Sequence, residues 1–467
     1  MQNQGHNHNI LDTPQIGRLL MKLTAPLFFG MLLQNVYQII DVIFIGRYAG
    51  SDGLAAISII MPIQMLIMGA GSMVSVGGSS LISRLIGQRE QQRAERALGN
   101  SIFFALIFSL FLTAVFVPFP VFWLKIIGTS DNVMPFAKDY LIIVMAGTIF
   151  NITGGMILAM ARAEGNARVS MVSMLIQSIL NILLDAFFMI VFHMGISGAA
   201  LAMIISQCAG LLYVLSYYLM GESYLKIRWR NFLPEKSVVR DIFTIGVSQF
   251  LKSIADCASS IVLVKMVSKY GGDIGLSTFS VVQRVMMFAS MPSMVIGMAM
   301  QPILGFNYGA KRFREAIRSI SLSLWISTAL GAAALLVLIS FPAPIISIFT
   351  SDPSLISSAT FAFRLMFLGL PLFNFFNVSQ LVFPSIGKAL PTFVISIVRP
   401  LCFIGPMAFT LSYFFLMKGT WLTFPTADTL AFFLVLSFFI PQMMKFRKAA
   451  HTQAAAGSGV DTGMPIV

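Results

Sequence analysis

The chain has 467 residues, of which 57% are hydrophobic and only 10% are charged. A soluble domain cannot bury that much apolar surface, so the composition excludes an ordinary water-soluble fold. The net charge of +13 does not indicate a nucleic-acid-binding protein, because no soluble basic domain accompanies it. The N-terminal residues lack the features of a cleaved secretory signal, and no cleavage is expected.

Apolar segments long enough to cross a bilayer, which takes roughly 20 residues, occur twelve times along the chain. In chain order the predicted spans are residues 19–45, 54–80, 98–117, 136–160, 169–192, 199–219, 242–267, 276–304, 317–339, 361–382, 392–415 and 424–444. The last span contains Pro425, Asp428 and Pro441, which are unusual in such a segment. The pattern predicts an all-α integral membrane protein with twelve transmembrane helices.

The distribution of cations predicts how the chain is oriented. If the N-terminus is cytoplasmic, the loops on that side carry 21 of the 31 Lys and Arg residues, and the opposite loops carry 5. The positive-inside rule then places both termini in the cytoplasm of a multi-pass protein in the plasma or inner membrane. The basic loops would face anionic lipid headgroups, which makes membrane lipids expected partners.

The predicted spans and the basic stretch between the sixth and seventh of them divide the chain. The predicted parts are an N-terminal cytoplasmic tail (1–18), an N-lobe (19–220), a basic cytoplasmic linker (221–240), a C-lobe (241–445) and a C-terminal cytoplasmic tail (446–467).

The two halves repeat each other at a shift of 222 residues. The shift lays residues 47–58 over 269–280, where Gly50 matches Gly272, and it pairs residues 87–96 with 309–318. Six helices separate the repeats, so both halves cross the membrane in the same direction. We therefore expect two six-helix lobes related by pseudo-two-fold symmetry, with a substrate cavity at their interface near the midplane.

Carboxylates inside the membrane are the first functional candidates. Asp41, Asp185 and Asp256 are predicted to be the only acidic residues well inside spans, where each costs roughly 2.5 to 3.5 kcal/mol unless it is paired, hydrated or protonated. Asp41 and Asp185 are predicted to lie at similar depth. Two carboxylates in a low-dielectric site cannot both ionise cheaply, so the pair could carry a proton or share a cation. A structural polar bridge between helices is the alternative.

Amide side chains accompany these two carboxylates at helical spacing, and span four adds a further one. The predicted ion-coupling residues are Asp41, Asn151, Asn181 and Asp185. Secondary candidates in the first half are Gln34, Gln38 and Gln177. No metal-binding cluster and no catalytic residue is predicted.

In the second half, Lys252 lies one turn before Asp256 on a polar stripe that includes Gln249. A structural ion pair and a role in substrate or ion binding both remain open for these residues. Gln283 is a further secondary candidate in span eight. The many Met residues of span eight would suit either an adaptable cavity wall or a lipid-facing stripe.

Four segments resemble the multidrug and toxic compound extrusion (MATE) transporters, and the resemblance covers nearly the whole chain. They are PLFFGMLLQNVYQIIDVIFIGRYAGSDGLAA (26–56), NILLDAFFMIVFHMGISGAALA (181–202), GLSTFSVVQRV (275–285) and QPILGFNYGAKRFREA (301–316). The resemblance implies a twelve-helix antiporter that expels cationic or amphiphilic compounds against an inward flow of H+ or Na+. It also implies that Asp41, Asn181 and Asp185 form the N-lobe ion site, with Asn151 as a partner.

One departure from the family bears on the coupling ion. The family often has Thr after a GAALA run, whereas Met203 follows it here and supplies no side-chain oxygen. Because Na+ needs several oxygens, we expect H+ coupling, with Na+ still possible, and no cofactor. Expected substrates are small lipophilic or cationic compounds, and the protein is expected to be a monomer.

Two other functions compete with drug export. A related lipid-linked oligosaccharide flippase would need cations for a pyrophosphate, and five cations within spans keep it open: Lys252, Lys265, Arg284, Arg364 and Arg399. A membrane-embedded enzyme is not expected, because the chain contains no HExxH, GxSxG or Walker motif.

Overall fold

The structure, a computed structural model, describes residues 10–221 and 223–458, and this part of the chain contains helices and turns but no strand. The outer parts of both predicted tails, residues 1–9 and 459–467, lie outside the described residues. The helices of the first half are α1 (Ile16–Tyr48), α2 (Gly50–Gly87), α3 (Gln91–Phe116), α4 (Pro120–Ile127), α5 (Met134–Ala146), α6 (Thr148–Ala163), α7 (Ala167–Ala186) and α8 (Gly195–Leu219). Those that follow are α9 (Lys236–Gly309), α10 (Phe313–Ser340), α11 (Pro342–Ser347), α12 (Pro353–Met366), α13 (Leu370–Ser385), α14 (Ala389–Ile397) and α15 (Gly405–Ser458).

The helices account for the twelve predicted crossings. Within the described residues, eight helical stretches are long and apolar enough to cross a membrane, and α5 with α6, bent by 46°, makes a ninth. One of the eight, Ala389–Gln453, has 65 residues and is broken at Leu416, so it holds two spans. The 74 residues of α9 would extend about 110 Å, more than two bilayer cores, and are broken at Gly272. The prediction of a twelve-helix membrane protein is confirmed.

Two short helices, α4 and α11, were not among the predicted elements. Each begins with a proline at its first position, Pro120 or Pro342, preceded by a phenylalanine with nearly the same backbone angles. Phe119 has φ −128° and ψ 52°, and Phe341 has φ −127° and ψ 52°. These paired residues are again 222 positions apart, so the sequence repeat includes the Phe-Pro pair that begins each short helix.

The repeat is also visible at the left-handed positions of the backbone. Gly50, between α1 and α2, has φ 70°, and its counterpart Gly272, inside α9, has φ 55°. Arg89 and Lys311 have φ 62° and 58°, although non-glycine residues rarely adopt such values. All four lie between consecutive membrane crossings, where the chain must reverse direction. The internal repeat therefore specifies the turns as well as the spans.

The described residues form two compact units. The first contains residues 10–12, 21–82 and 90–257, and the second contains 13–20, 83–89 and 258–458. The boundary falls inside α9, beyond the predicted linker, because the first turns of α9 lie against α2. A Cβ on Gly77 would stand 2.2 Å from the Ile242 carbonyl oxygen, and one on Gly246 would stand 2.1 Å from that of Met73. Small residues let two membrane helices approach this closely.

The chain just before α1 packs against the helices of the first unit. Leu11 is fully buried, and it lies beside Gly165, which connects α6 to α7 with φ 91°. Helix α15 continues to Ser458, well into the predicted C-terminal tail. In the second unit, an apolar core forms around the large rings of Phe363, Phe367 and Trp421.

Candidate functional site

Helices α1 and α7 lie side by side and bring Asp41 next to Asp185. A Cβ on Gly30 of α1 would stand 2.9 Å from Met174 Sδ of α7, so the two helices are in close contact there. Asp41 is eleven residues beyond Gly30, and Asp185 is eleven beyond Met174, an advance of about 16 Å along each helix. The two carboxyl groups consequently lie at the same level, close enough to interact electrostatically. Two carboxyl groups this close in a site of low dielectric do not both ionise readily, so the pair favours a state with one proton.

Asn181 connects this pair to α8. Asp185 is fully buried and Asn181 is 2% exposed. With the side-chain amide oriented to satisfy both neighbours, Asn181 donates from Nδ2 to Asp185 Oδ2 at 3.1 Å and accepts from the Met203 backbone N–H at 3.3 Å. Met203 therefore contributes a donor at the position where the resemblance leads one to expect a Thr hydroxyl.

Two tyrosines complete the surroundings and were not among the sequence candidates. Tyr37 of α1 and Tyr140 of α5 both lie close enough to Asp41 and Asp185 to interact with them electrostatically. Gln64 of α2 donates from Nε2 to Tyr140 Oη at 3.4 Å. Two features of the sequence could have pointed to these residues. Tyr37 lies one turn before Asp41, and Gln64 is an amide inside a predicted span.

Of the remaining candidates in the first half, some lie beside this site and others make contacts elsewhere. Gln34 and Gln38 lie beside Tyr37 on α1. Gln177 instead donates to Ser173 Oγ at 3.1 Å and lies against Gly210 of α8. Asn151 is exposed, and among the described residues no hydrogen bond joins it to either carboxylate. The structure thus assembles Asp41, Asn181 and Asp185, and the role of Asn151 stays a prediction.

In the second half of the chain, Lys252 and Asp256 form an ion pair within α9. Lys252 Nζ donates to Asp256 Oδ2 at 2.6 Å, with the two side chains 29% and 41% exposed. Gln249 accepts from Ser253 Oγ through its backbone carbonyl at 3.2 Å, and Gln283 is exposed. Of the two readings left open for these residues, the geometry matches the internal ion pair.

A fourth carboxylate lies deep in the helices, and the expectation of only three was wrong. Asp428 of α15 is 1% exposed and binds Arg399, whose guanidinium also stands 4.7 Å from the Phe373 ring centroid and 5.4 Å from that of Phe376. Arg399 belongs to the π-helical turn Val398–Ile404 between α14 and α15. In the sequence, Asp428 and the prolines near it are unusual for a membrane span. In the structure, α15 continues through all of them.

Two repeated sets of apolar helices, with a close pair of carboxyl groups in the first set, define the chain as a multi-pass membrane protein. A model of the MatE family matches residues 26–187 and 249–409. These two matches cover more than half of the chain and coincide with its two halves. The chain belongs to the MATE family of multidrug efflux transporters, and the resemblance inferred from its motifs is confirmed.

Similar proteins agree with this assignment. The multidrug export protein MepA of Staphylococcus haemolyticus (strain JCSC1435) is 25% identical over 427 residues, which are 91% of this chain and 93% of that protein. A MATE crystal structure in the straight conformation has a TM-score of 0.89 at 22% identity and covers 94% of this chain and 98% of its own. Another MATE crystal structure, in the bent conformation, has a TM-score of 0.88 at 22% identity and covers 95% of this chain and 98% of its own. At this identity the two structures show the fold alone.

The flippase alternative gains no support from these observations. The relative above is named as a drug exporter. Of the five cations that kept the flippase open, Lys252 and Arg399 are each bound to a carboxylate of the same chain, which reduces the charge left for a pyrophosphate.

Proposed function

We propose that the protein exports lipophilic or cationic organic compounds by H+ antiport, with Asp41 and Asp185 as the coupling pair. The observation that carries this proposal is the contact between the two carboxyl groups across α1 and α7. A buried carboxyl pair binds one proton readily, because full ionisation would place two like charges side by side. Titration of the pair then changes the charge of the site by one.

The groups around the pair favour H+ over Na+. Asn181 directs its amide nitrogen at Asp185, and its oxygen is already occupied by the Met203 N–H. Met203 adds no side-chain oxygen, and the oxygen of Asn181 already accepts one hydrogen bond. A site for Na+ would have to replace its hydration shell with several oxygens, whereas a proton needs only one carboxylate.

The same contact suggests how a proton could change the conformation of α1. Pro26 lies inside α1 and removes one backbone hydrogen bond, which makes bending easier there. Gly30, one turn later, lets α1 pack closely on α7, because a Cβ there would stand 2.9 Å from Met174 Sδ. Protonation of Asp41 would remove the main reason for water to stay beside the pair, and α1 could then repack. That related MATE structures exist in bent and straight conformations motivates this step.

Within the predicted spans of the second half, the described residues include two carboxylates, and each of them is bound to a cation. Asp256 is bound by Lys252, and Asp428 is bound by Arg399. An internal cation competes with any external one for these oxygens. We therefore assign ion coupling to the first half of the chain, with Asn151, Gln34, Gln38 and Gln177 in supporting roles and Asp256 in a structural one.

The remaining parts of the proposal follow from charge and composition. The excess of Lys and Arg on one side of the predicted spans supports a cell membrane location with cytoplasmic termini. Scarce charge and abundant Met favour substrates that are lipophilic and carry at most a diffuse positive charge. The transporting unit is proposed to be a monomer.

Transport by purified protein in liposomes tests this function. The liposomes are loaded with the lipophilic cation tetraphenylphosphonium, and an H+ or a Na+ gradient is imposed separately, with the membrane potential clamped by valinomycin and K+. We expect export against a gradient when H+ flows in and none when only Na+ flows in. Export driven by Na+ alone, or no export with either ion while the protein is folded, would refute the proposal.

A further inference from the structure

The segment that follows α8 is tied to the start of α3. Asn100 of α3 donates from Nδ2 to the carbonyl oxygens of Asn231 and Leu233 at 2.9 and 3.0 Å, and its Oδ1 accepts from the Glu235 N–H at 2.9 Å. Gly99 lies so close that a Cβ there would stand 2.3 Å from the Asn231 oxygen. Residues 226–235, which we call the linker segment, therefore have a defined position on α3.

Its position also defines its depth. The apolar run of α3 begins at about Leu98, and Asn100 lies just inside that run. The linker segment, whose backbone is hydrogen-bonded to the Asn100 side chain, therefore lies at the boundary between the hydrocarbon core and the headgroups. Tryptophan and cationic side chains are concentrated at this level in membrane proteins.

The outer side of the linker segment carries that combination of side chains. Trp229 is 89% exposed and stacks on Phe232, with ring centroids 5.5 Å apart, and Leu233 is 73% exposed. Lys226 and Arg230, which precede and follow Trp229 in the sequence, are exposed, and no ion pair of either is found in the described part of the chain. Fixed aromatic and cationic groups at this depth complement an anionic phosphate with an acyl chain below it.

The nearby acidic groups do not neutralise these two cations. Glu235 binds Arg96 at 2.6 Å and Ser237 at 2.8 Å, and its pKa is lowered chiefly by the hydrogen bonds from those two side chains. Glu95 is buried and stands 3.6 Å from Arg228. The two carboxylates are thus committed to other cations, and the charges of Lys226 and Arg230 remain available.

From this arrangement we infer that the linker segment is a binding site for an anionic phospholipid headgroup at the cytoplasmic face, with Lys226 and Arg230 on the phosphate and Trp229 in the interface. The site is built before the lipid arrives, because Asn100 and Gly99 hold its backbone. It would anchor the connection between the two halves of the chain to the membrane surface.

Lipid retention by the full-length protein tests the charge component. The protein is reconstituted in an equal mixture of phosphatidylglycerol and phosphatidylcholine, washed with detergent, and the retained lipids are quantified by mass spectrometry. Lys226→Gln/Arg230→Gln should lower the retained ratio of phosphatidylglycerol to phosphatidylcholine by at least about threefold. The matched control is Arg314→Gln/Arg318→Gln, which removes two exposed cations near the start of α10, the repeat counterpart of α3.

The control should retain the wild-type ratio. An equal loss in both double variants would show a general effect of net charge, and no loss in the linker variant would show no site, so either result would overturn the inference. Addition of inorganic phosphate should not displace the lipid. Displacement by phosphate alone would reassign the site to a free anion.

Fluorescence tests the location of Trp229. The emission lost on Trp229→Phe should be quenched by phosphatidylglycerol brominated near the headgroup and should resist aqueous iodide. Trp325→Phe, which removes another exposed tryptophan inside α10, gives the reference for a residue within the hydrocarbon core. Strong iodide quenching of Trp229 without quenching by the brominated lipid would place the side chain in water and contradict the inference.

Discussion

Arg399 directs two nitrogens at a single oxygen of Asp428: Nε stands 3.0 Å and Nη2 stands 2.6 Å from Oδ1. The pair joins the π-helical turn before α15 to the middle of α15 itself, and Asp428 is almost completely buried. Gly369, in the 3₁₀ turn before α13, leaves room for it, because a Cβ there would stand 3.0 Å from Asp428 Oδ2. Removing either partner would leave an uncompensated charge in an apolar environment.

We expect Arg399→Met to destabilise the folded protein by about 3 to 5 kcal/mol, the usual cost of orphaning a buried charge. Thermal unfolding in detergent, followed by tryptophan fluorescence, measures the change. The double variant Arg399→Met/Asp428→Leu is the control, because it replaces both charges and should recover most of the loss. If Arg399→Met were as stable as the wild type, the charge of Asp428 would not depend on Arg399 for its stabilisation.

Asp41→Asn should abolish H+-driven export, because an amide cannot exchange a proton. Asp185→Asn should have nearly the same effect, since it removes the like charge that makes proton binding favourable. Both proteins should remain folded, as the amide keeps the shape of the carboxyl group. The measurement is pH-gradient-driven export in liposomes, normalised to the amount of reconstituted protein. Full H+-coupled export by Asp41→Asn would make the pair structural and leave the coupling elsewhere.

Asp256→Asn should reduce export much less than Asp41→Asn does. Lys252 is 29% exposed, so water can solvate its charge after the ion pair is lost. Partly exposed pairs contribute roughly 0 to 1 kcal/mol, and the fold should tolerate the change. The same liposome assay compares the two variants. If Asp256→Asn were as inactive as Asp41→Asn, the second half would have to be included in ion coupling.

Gly77→Ala should destabilise the first unit, because the new methyl group would stand 2.2 Å from the backbone oxygen of Ile242 on α9. Backbone cannot move aside as a side chain can, and overpacking typically costs about 1 to 3 kcal/mol. Gly155→Ala is the matched control within α6, since nothing lies within 4 Å of its Cβ position. The yield of monodisperse protein and its unfolding temperature should fall for the first variant only.

Glu164, at the C-terminal end of α6, should make stability depend on pH. It is 5% exposed and accepts hydrogen bonds from Tyr217 Oη at 3.2 Å, Ser223 Oγ at 2.7 Å and the Tyr224 N–H at 3.1 Å. Burial nevertheless raises the pKa of its carboxyl group to about 7, from an ordinary 4.5. The folded state then binds a proton more tightly than the unfolded state does.

The free energy of unfolding should therefore fall as the pH rises from about 4.5 to about 7, by about 3 kcal/mol at most from this group. Glu164→Gln should flatten that part of the profile, because the amide is neutral throughout and can keep the same acceptor oxygen. Unfolding temperatures between pH 4.5 and pH 8 provide the comparison. A profile unchanged by the substitution would show that Glu164 is ionised over the whole range.

The sequence by itself determined the membrane setting, the twelve spans, the internal repeat and the identity of Asp41 and Asp185 as candidates. These properties depend on the summed hydropathy of consecutive residues. Each span must match the bilayer thickness, and a charged residue within a span contrasts with its apolar neighbours. The repeat was readable because glycines and cations at the turns, such as Gly50 and Gly272, must adopt similar backbone angles in both halves.

The tertiary structure alone decided which polar groups meet. Arg399 binds Asp428, which is 29 residues away in the sequence, and Asn100 binds Asn231, which is 131 residues away. Tyr140, on a third helix, lies near the carboxyl groups of Asp41 and Asp185. Asn151 looked equally suitable in the sequence, but in the described part of the chain no hydrogen bond joins it to either carboxylate. Such contacts depend on the rotation of each helix about its axis and on its sliding along its neighbours. Hydropathy and spacing within one helix do not specify those two quantities, which are set by how the side chains of several helices fit together.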